Sequence, residues 1–132
     1  MQAFIIDDSE FDRYLLKRQI LLIDEDADVT EFTSGIEAFD YIQTESLSNS
    51  NADYLPDVML VDICMPRMDG FEFIEKLQEV LQSIPNLSQI KFYIISSSQN
   101  RSDFDRAEEM SLVRGFIHKP PSIEDLENIL IN

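Results

Sequence analysis

Short apolar runs alternate with amphipathic segments along the whole chain. The first apolar run, residues 3–6, is rich in β-favouring side chains and stops at the polar triplet Asp7-Asp8-Ser9. An apolar run that ends in a small polar residue predicts a strand followed by a helix N-cap. We therefore expect a first strand and then a first helix that extends to about Ile23.

The next stretch predicts a second strand and a second helix. Residues 29–33 can form a strand, and Ser34 followed by Glu37 matches the pattern of a capping box at a helix start. This helix should reach about Glu45. Residues 43–56 are polar, with Ser, Asn and Asp near their centre, which predicts a surface loop rather than a domain linker.

The third unit has the clearest pattern. The apolar run at 58–61 has no polar alternation, as expected for a strand that is covered on both faces, and Asp62 stands at its end. The following segment predicts a helix, because its apolar residues recur on one side and its charged residues on the other. The apolar side consists of Phe73, Ile74, Leu77, Val80, Leu81 and Ile84.

The last two units follow the same order. Residues 91–95 predict a buried strand that ends in three serines, and residues 101–112 predict a helix that Gly115 should break. Residues 116–118 predict a short fifth strand. Ser122 is the expected N-cap residue of the last helix.

Five strands and five helices in strict alternation predict an α/β fold. Neighbouring parallel strands need long right-handed crossovers, and a helix supplies one. We expect a five-stranded parallel sheet flanked by five helices, which is the flavodoxin-like doubly wound (βα)5 arrangement. In such sheets ligands bind at the carboxyl ends of the strands. The polar residues that should meet at this edge are Asp7, Asp8, Asp62, Ser96 and Lys119.

Composition and charge narrow the classes of function. A chain of 132 residues has the size of one domain. Its net charge of −16 would repel a phosphate backbone, so nucleic acid is not an expected partner. The sequence shows neither a signal-peptide pattern nor a long apolar stretch, so we expect a cytoplasmic protein with no membrane segment. Cys64 is the only cysteine, which excludes an internal disulfide.

The predicted edge of the sheet brings three carboxylates together. Asp7, Asp8 and Asp62 would repel one another unless a cation joined them, and an all-oxygen cluster suits a hard ion such as Mg2+. Mg2+ also takes phosphate oxygens as ligands, so these residues suit phosphoryl chemistry. Lys119 would supply a positive charge, and Ser96 a hydroxyl donor, to a phosphoryl group carried on Asp62.

These residues carry a resemblance to a known family. The sequence resembles the receiver domains of two-component response regulators over essentially its whole length, and the combination of motifs is highly specific. The matching features are the acidic pair Asp7-Asp8, the segment Asp62-x-x-Met65-Pro66-x-x-Asp69-Gly70, the hydroxyl at Ser96, and Lys119-Pro120. Three mild departures are Ser instead of the commoner Thr at Ser96, Phe instead of the commoner Tyr at Phe116, and a loop near Ser48 that is longer than in many members.

The resemblance implies a role for each matching residue. Asp62 would be the phosphoacceptor, and Lys119 and Ser96 would contact the phosphoryl group. A magnesium ion would be bound directly by Asp8, by Asp62 and by the backbone carbonyl of Cys64, with Asp7 acting through water. Ser96 and Phe116 would be the switch residues that move on phosphorylation. The Lys119–Pro120 peptide bond is expected to be cis.

The resemblance also implies partners and a mode of output. Phosphate would come from a histidine kinase or a phosphotransfer protein, and the signal would pass to a protein target through a surface of helix four, strand five and helix five. A homodimer is left open. We expect a single receiver domain over residues 1–132 without an output domain, because the chain ends soon after the fifth helix. The protein would be a phosphoryl acceptor that catalyses its own phosphorylation rather than an enzyme.

The lifetime of the phosphoryl group should depend on two further positions. In the family, side chains two residues beyond the phosphoacceptor and two beyond the switch hydroxyl can orient or obstruct the hydrolytic water. Here these positions hold Cys64 and Ser98. A thiol is a weak hydrogen-bonding group and a serine is short, so we expect slow self-dephosphorylation.

Three other classes of function make different demands on the sequence. A haloacid-dehalogenase-type magnesium phosphohydrolase also phosphorylates an Asp at a strand end, but it needs a second Asp where this chain has Cys64. A P-loop nucleotidase would need a glycine pattern that the three glycines cannot form. A receiver-like interaction module that no longer accepts phosphate is the third alternative. His118, the only histidine, is expected to be structural rather than a phosphoacceptor.

Overall fold

The computed structural model describes residues 1–49 and 51–131. Ser50, within the predicted loop, and Asn132, at the predicted domain end, lie outside the described residues. The elements in chain order are β1 (Gln2–Ile6), α1 (Glu10–Ile23), β2 (Asp28–Phe32), α2 (Gly35–Ser48), β3 (Val58–Val61), α3 (Gly70–Glu79), a 3-10 helix (Pro85–Gln89), β4 (Lys91–Ser96), α4 (Arg101–Glu109), β5 (Val113–His118) and α5 (Ile123–Ile131).

The five strands form one parallel sheet in the order β2-β1-β3-β4-β5. The order reverses direction at β1, which lies between β2 and β3, so the carboxyl ends of β1 and β3 border the topological switch point. The predicted flavodoxin-like doubly wound fold is therefore confirmed.

The core lies on both faces of the sheet, because successive side chains of each strand point to opposite faces. In β3, Val58 and Leu60 pack with the buried residues of α1 and α5, whereas Met59 and Val61 pack with those of α2 and α3. All four side chains are buried. This explains why β3 has no polar alternation. Within the described residues no helix is both long and apolar enough to cross a bilayer.

Two helices differ in length from their predicted spans. Helix α2 continues to Ser48, so the predicted loop begins later than expected. Helix α3 ends at Glu79, although Val80, Leu81 and Ile84 were expected to extend it. The backbone amides of Ser83 and Ile84 bond to the Val80 carbonyl, so the chain continues in turns that keep the same apolar side against the core.

The prediction that Gly115 breaks the fourth helix is wrong. Helix α4 ends at Glu109, and Gly115 lies inside β5, where it pairs with Tyr93 of β4. A side chain at this position would meet the Tyr93 ring at 3.3 Å, and the β4–β5 register shifts beside the pair. The glycine thus provides a close approach between strands rather than a helix stop.

The predicted capping box at α2 is also only half formed. The Ser34 side chain accepts a hydrogen bond from the Glu37 amide, but the Glu37 carboxylate accepts from the Thr33 hydroxyl instead of returning to the cap. A complete capping box occurs at the start of α3, where Asp69 and Glu72 satisfy each other's backbone amides. This box fixes the helix that begins beside Asp62.

Candidate functional site

The predicted site residues meet at the carboxyl edge of the sheet. Two of them directly follow a strand and extend its backbone ladder by one bond: Asp7 donates to the Phe32 carbonyl and Asp62 to the Ile6 carbonyl. The Lys119 amide donates to the carbonyl of Ser96, the last residue of β4. The backbones of these residues are therefore held by the sheet itself, and their side chains project over its edge.

The acidic residues form one compact cluster. Each of Asp7, Asp8 and Asp62 offers a carboxylate oxygen, and these oxygens lie within 4.8 Å of one another. Asp7 and Asp62 are almost completely buried, with 1% and 6% exposure, whereas Asp8 is exposed. Three carboxylates at this spacing, with one open to solvent, fit a hard divalent cation that keeps part of its water shell. The three carboxylates could therefore hold a divalent metal ion.

Local contacts fix the acidic pair. The Asp7 carboxylate accepts a hydrogen bond from the Ser9 amide at 2.9 Å, while Ser9 caps α1 by accepting from the Asp12 amide. From α1, the Arg13 guanidinium donates to the Asp7 backbone carbonyl at 2.7 Å and to Glu31 at 3.2 Å. The loop between β1 and α1 is thus tied to its own helix and to β2.

Lys119 is the cation of the site. Its ammonium lies 2.6 Å from Asp7 Oδ2, 3.0 Å from Asp12 Oδ2 and 3.2 Å from Asp62 Oδ1. Burial lowers the pKa of Lys119, but the hydrogen bonds to Asp7 and Asp12 and the charge of Asp62 outweigh that effect and raise the pKa above its ordinary value. The ammonium therefore stays charged at neutral pH. The Lys119–Pro120 peptide bond is cis, as the resemblance implied.

Asp62 has an unusual ionisation. Its pKa is raised from 3.8 to about 6. Burial is the largest cause and the Asp7 carboxylate adds to it, while the charge of Lys119 offsets the two effects only in part. Its surroundings therefore disfavour the ionised form, which a second positive charge nearby would stabilise. With a pKa of about 6, the carboxylate is mostly ionised at neutral pH.

Gly70 allows α3 to begin against the backbone of Asp62. A Cβ atom at position 70 would collide with the Asp62 carbonyl oxygen and would lie 3.1 Å from a Val61 methyl group. The Gly70 amide donates to the Ile63 carbonyl at 3.0 Å, and Arg67 adopts a positive φ of 70° within the same loop. The Asp-Gly pair of the sequence motif thus closes the loop that follows the candidate phosphoacceptor.

Ser96 is buried at the end of β4, and its hydroxyl accepts a hydrogen bond from the Ser98 amide at 3.1 Å. Phe116 is half-buried on β5, with its ring centroid 5.9 Å from that of Phe104 on α4 and 5.0 Å from that of His118. The two predicted switch residues therefore lie on the neighbouring strands β4 and β5, with Phe116 in contact with α4. His118 is exposed and outside the acidic cluster.

Cys64 is exposed, two positions beyond Asp62. Partial burial raises the pKa of its thiol, and the carboxylates of Asp62 and Asp103 raise it further, so the group is a neutral thiol at neutral pH. The assignment of its backbone carbonyl as a metal ligand stays a prediction.

Two contacts were not anticipated from the sequence. Asp12, on the first turn of α1, binds Lys119, and Asp103, on the first turn of α4, accepts a 2.6 Å hydrogen bond from the Ser98 hydroxyl. Both helices start at the carboxyl edge of the sheet. The sequence feature that could have indicated these contacts was therefore an acidic residue in the first turn of a helix. First-turn acids are common for helix-dipole reasons alone, which makes that signal weak.

Comparison with known proteins relates this chain to the receiver domains of response regulators. The family model for the response regulator receiver domain matches residues 3–131. The two-component response regulator ARR17 of Arabidopsis thaliana is 30% identical over 98% of this chain and 82% of its own length. The sensor histidine kinase CheAY of Helicobacter pylori is 30% identical over 95% of this chain, which spans only 14% of that protein. Among solved structures, a response regulator receiver protein from Dyadobacter fermentans superposes with a TM-score of 0.80 at 29% identity, covering 98% of this chain and 94% of its own.

Proposed function

Because this chain belongs to the response regulator receiver domain family, we propose that it signals by accepting a phosphoryl group on Asp62. One observation carries the assignment. Asp62 is buried at the end of β3, close to the carboxylates of Asp7 and Asp8 and to the Lys119 ammonium. A phosphoryl group needs a nucleophile placed among positive charges. Asp7 and Asp62 both contact Lys119, and Asp62 is the one that follows β3, the central strand of the sheet.

The transfer is a simple displacement at phosphorus. An oxygen of the Asp62 carboxylate attacks the phosphorus of the donor, the bond to the donor's nitrogen or oxygen breaks, and its electron pair leaves with the donor. The product is an acyl phosphate on Asp62. Such transfer depends mainly on positioning and on neutralising the charge of the phosphoryl oxygens. We assign these roles to Lys119, whose ammonium lies 3.2 Å from Asp62 Oδ1, and to the Ser96 hydroxyl.

The acidic cluster is the proposed magnesium site. Asp8 and Asp62 would bind the ion directly, together with the Cys64 backbone carbonyl, and Asp7 would act through water. When bound, Mg2+ would neutralise charge on both the cluster and the phosphoryl oxygens. The raised pKa of Asp62, which arises from burial and from Asp7, supports a second cation here, because Lys119 alone does not offset the repulsion.

The proposed output follows from the neighbours of Ser96. A phosphoryl group on Asp62 would draw the Ser96 hydroxyl away from the Ser98 amide. The space that it leaves would admit the Phe116 ring, which now packs against Phe104 of α4. The surface made by α4, β5 and α5 would then change shape and meet a protein target.

Receiver domains act with histidine kinases and phosphotransfer proteins, and one relative of this chain is itself part of a sensor histidine kinase. We propose a phosphohistidine of such a protein as the natural donor. Phosphate uptake, rather than a phosphate-independent interaction, is supported by the complete set of acidic, basic and hydroxyl groups at one edge.

The test uses acetyl phosphate as the donor, with and without Mg2+. Wild type should incorporate phosphate only with Mg2+, and Asp62→Asn should incorporate none, because an amide is a poor nucleophile. Asp53→Asn is the matched control, since it removes an exposed carboxylate far from the cluster. Uptake by Asp62→Asn equal to that of wild type would contradict the assignment. Uptake by neither protein would favour a phosphate-independent module.

A further inference from the structure

Lys119 contacts three carboxylates, and one of them lies outside the acidic cluster. An ammonium group has three N–H donors, and the three carboxylates at 2.6, 3.0 and 3.2 Å match that number. Asp7 and Asp62 belong to the cluster that a cation would occupy, whereas Asp12 projects from α1. The Lys119 side chain is only 14% exposed, so water has little access to these contacts.

Two of the three carboxylates that contact Lys119 would change their surroundings or charge during phosphorylation. When Asp62 becomes an acyl phosphate, its negative charge lies on the phosphoryl oxygens instead of the carboxyl group, and both Asp7 and Asp62 would be shared with the bound cation. Asp12 undergoes neither change. It is therefore the partner whose attraction for the ammonium is the same before and after transfer.

We propose that Asp12 is a positioning residue that anchors the Lys119 ammonium beside the phosphoryl site, an inference that rests on the proposed function of Asp62. With one N–H held by Asp12, the ammonium can turn another from Asp62 Oδ1 to a phosphoryl oxygen without leaving its place. Without Asp12 the ammonium shifts onto Asp7 and Asp62, where its charge opposes cation binding.

The local structure makes Asp12 a firm anchor. Its amide donates to the Ser9 side chain, and this hydrogen bond is the N-cap of α1. The next residue, Arg13, donates to the Asp7 carbonyl. The first turn of α1 is thereby fixed to the end of β1. Because the Asp12 side chain is 38% exposed, water screens the pair and its effect is moderate.

The experiment compares Asp12→Ala with Glu10→Ala. Both variants remove one carboxylate from the first turn of α1, so net charge and helix-dipole effects are matched. Glu10 is exposed and has no ion pair among the described residues. Asp12→Glu is the conservative variant, because it retains the carboxylate on a partly exposed side chain.

Two measurements distinguish a positioning role of Asp12 from a general effect of its negative charge. In metal-free protein, the NMR signal of the Lys119 ammonium should be resolved in wild type, Glu10→Ala and Asp12→Glu. In Asp12→Ala one N–H would face water, so the signal should be broadened by faster exchange. At saturating Mg2+, the rate constant for phosphorylation by acetyl phosphate should fall roughly fivefold in Asp12→Ala, equivalent to about 1 kcal/mol. Asp12→Glu should recover most of that rate.

Three results overturn the proposal. They are an unchanged ammonium signal in Asp12→Ala, a rate within about twofold of wild type, or an equal loss of rate in Glu10→Ala. A wild-type chain that takes up no phosphate would overturn the function proposed for Asp62 instead. The ammonium signal would then decide by itself whether Asp12 anchors Lys119.

Discussion

The Ser98 hydroxyl donates a 2.6 Å hydrogen bond to the Asp103 carboxylate, which joins the loop after β4 to the first turn of α4. The same oxygen accepts from the Asn100 amide at 3.2 Å. A serine has one proton to donate, and here it is already used. Ser98 is thus engaged in shaping the loop and offers no donor to a water that attacks phosphorus.

This geometry supports the expectation of slow self-dephosphorylation. Cys64→Asn should accelerate phosphate loss, because an amide at that position can orient water, and well-placed groups of this kind contribute roughly 10²-fold or more. Ser98→Glu should accelerate it less, since the new carboxylate would face Asp103. Phosphate release is measured at equal Mg2+, with exposed Ser88→Asn as the control. Faster loss from wild type than from both variants would refute the water-orientation argument.

The switch can be tested through the Ser96 hydroxyl. Ser96→Ala should still bind beryllofluoride at Asp62, but it should lose the chemical-shift changes that wild type shows in residues 101–131. The reason is that the hydroxyl is the group that must leave the Ser98 amide to reach the phosphoryl position. Ser97→Ala, at the exposed neighbouring position, should behave as wild type. Identical shift changes with and without the Ser96 hydroxyl would exclude this route.

The ionisation of Asp62 predicts a pH dependence of stability in metal-free protein. Its pKa is raised from 3.8 to about 6, chiefly by burial and next by Asp7. The folded state therefore holds this proton more tightly than the unfolded state. The resulting stabilisation is present below about pH 4 and is lost as the pH rises through about 6, by an amount on the order of 3 kcal/mol.

Asp62→Asn removes this titration. The free energy of unfolding of the variant, measured with urea at pH 4 and pH 7, should rise relative to wild type as the pH increases. Mg2+ added at pH 7 should stabilise wild type and reduce the difference. A difference between the two proteins that is the same at both pH values would show that Asp62 is not strained by its neighbours.

Gly70 should tolerate no side chain. A methyl group there would collide with the Asp62 carbonyl oxygen, and backbone atoms cannot move aside as a flexible side chain can. Gly70→Ala should therefore destabilise the fold by roughly 2 kcal/mol or more. Gly115→Ala is the control, because its methyl group would meet only ring atoms of Tyr93 at 3.3 Å or more. Equal losses in urea unfolding would show that the loop after Asp62 can relax.

Hydrophobic periodicity was sufficient to predict the order of the elements and the edge at which Asp7, Asp62 and Lys119 meet. It failed where distant parts of the chain decide the structure. Gly115 has the local character of a helix breaker, but pairing with Tyr93 places it in a strand. Val80 continues the apolar spacing of α3, but the helix ends at Glu79. The turn that follows still packs Val80 against the core.

The contacts of Asp12 and Asp103 could not be predicted from the sequence, because their partners lie outside the helices that carry them. Each is an ordinary acid in a first helical turn, and its partner lies elsewhere in the chain or in a loop without regular structure. The position of Lys119 relative to α1 depends on how β5 and α1 pack around the sheet. Periodicity within one element contains no information about that distance.

The most direct measurement of the central claim locates the phosphoryl group chemically. Wild type treated with acetyl phosphate and Mg2+ is reduced with borohydride, which converts an aspartyl phosphate to homoserine, and its peptides are sequenced by mass spectrometry. We expect homoserine at position 62 and unmodified aspartate at Asp7, Asp8 and Asp12. Homoserine at one of these neighbours, or phosphate found on a side chain other than aspartate, would contradict it.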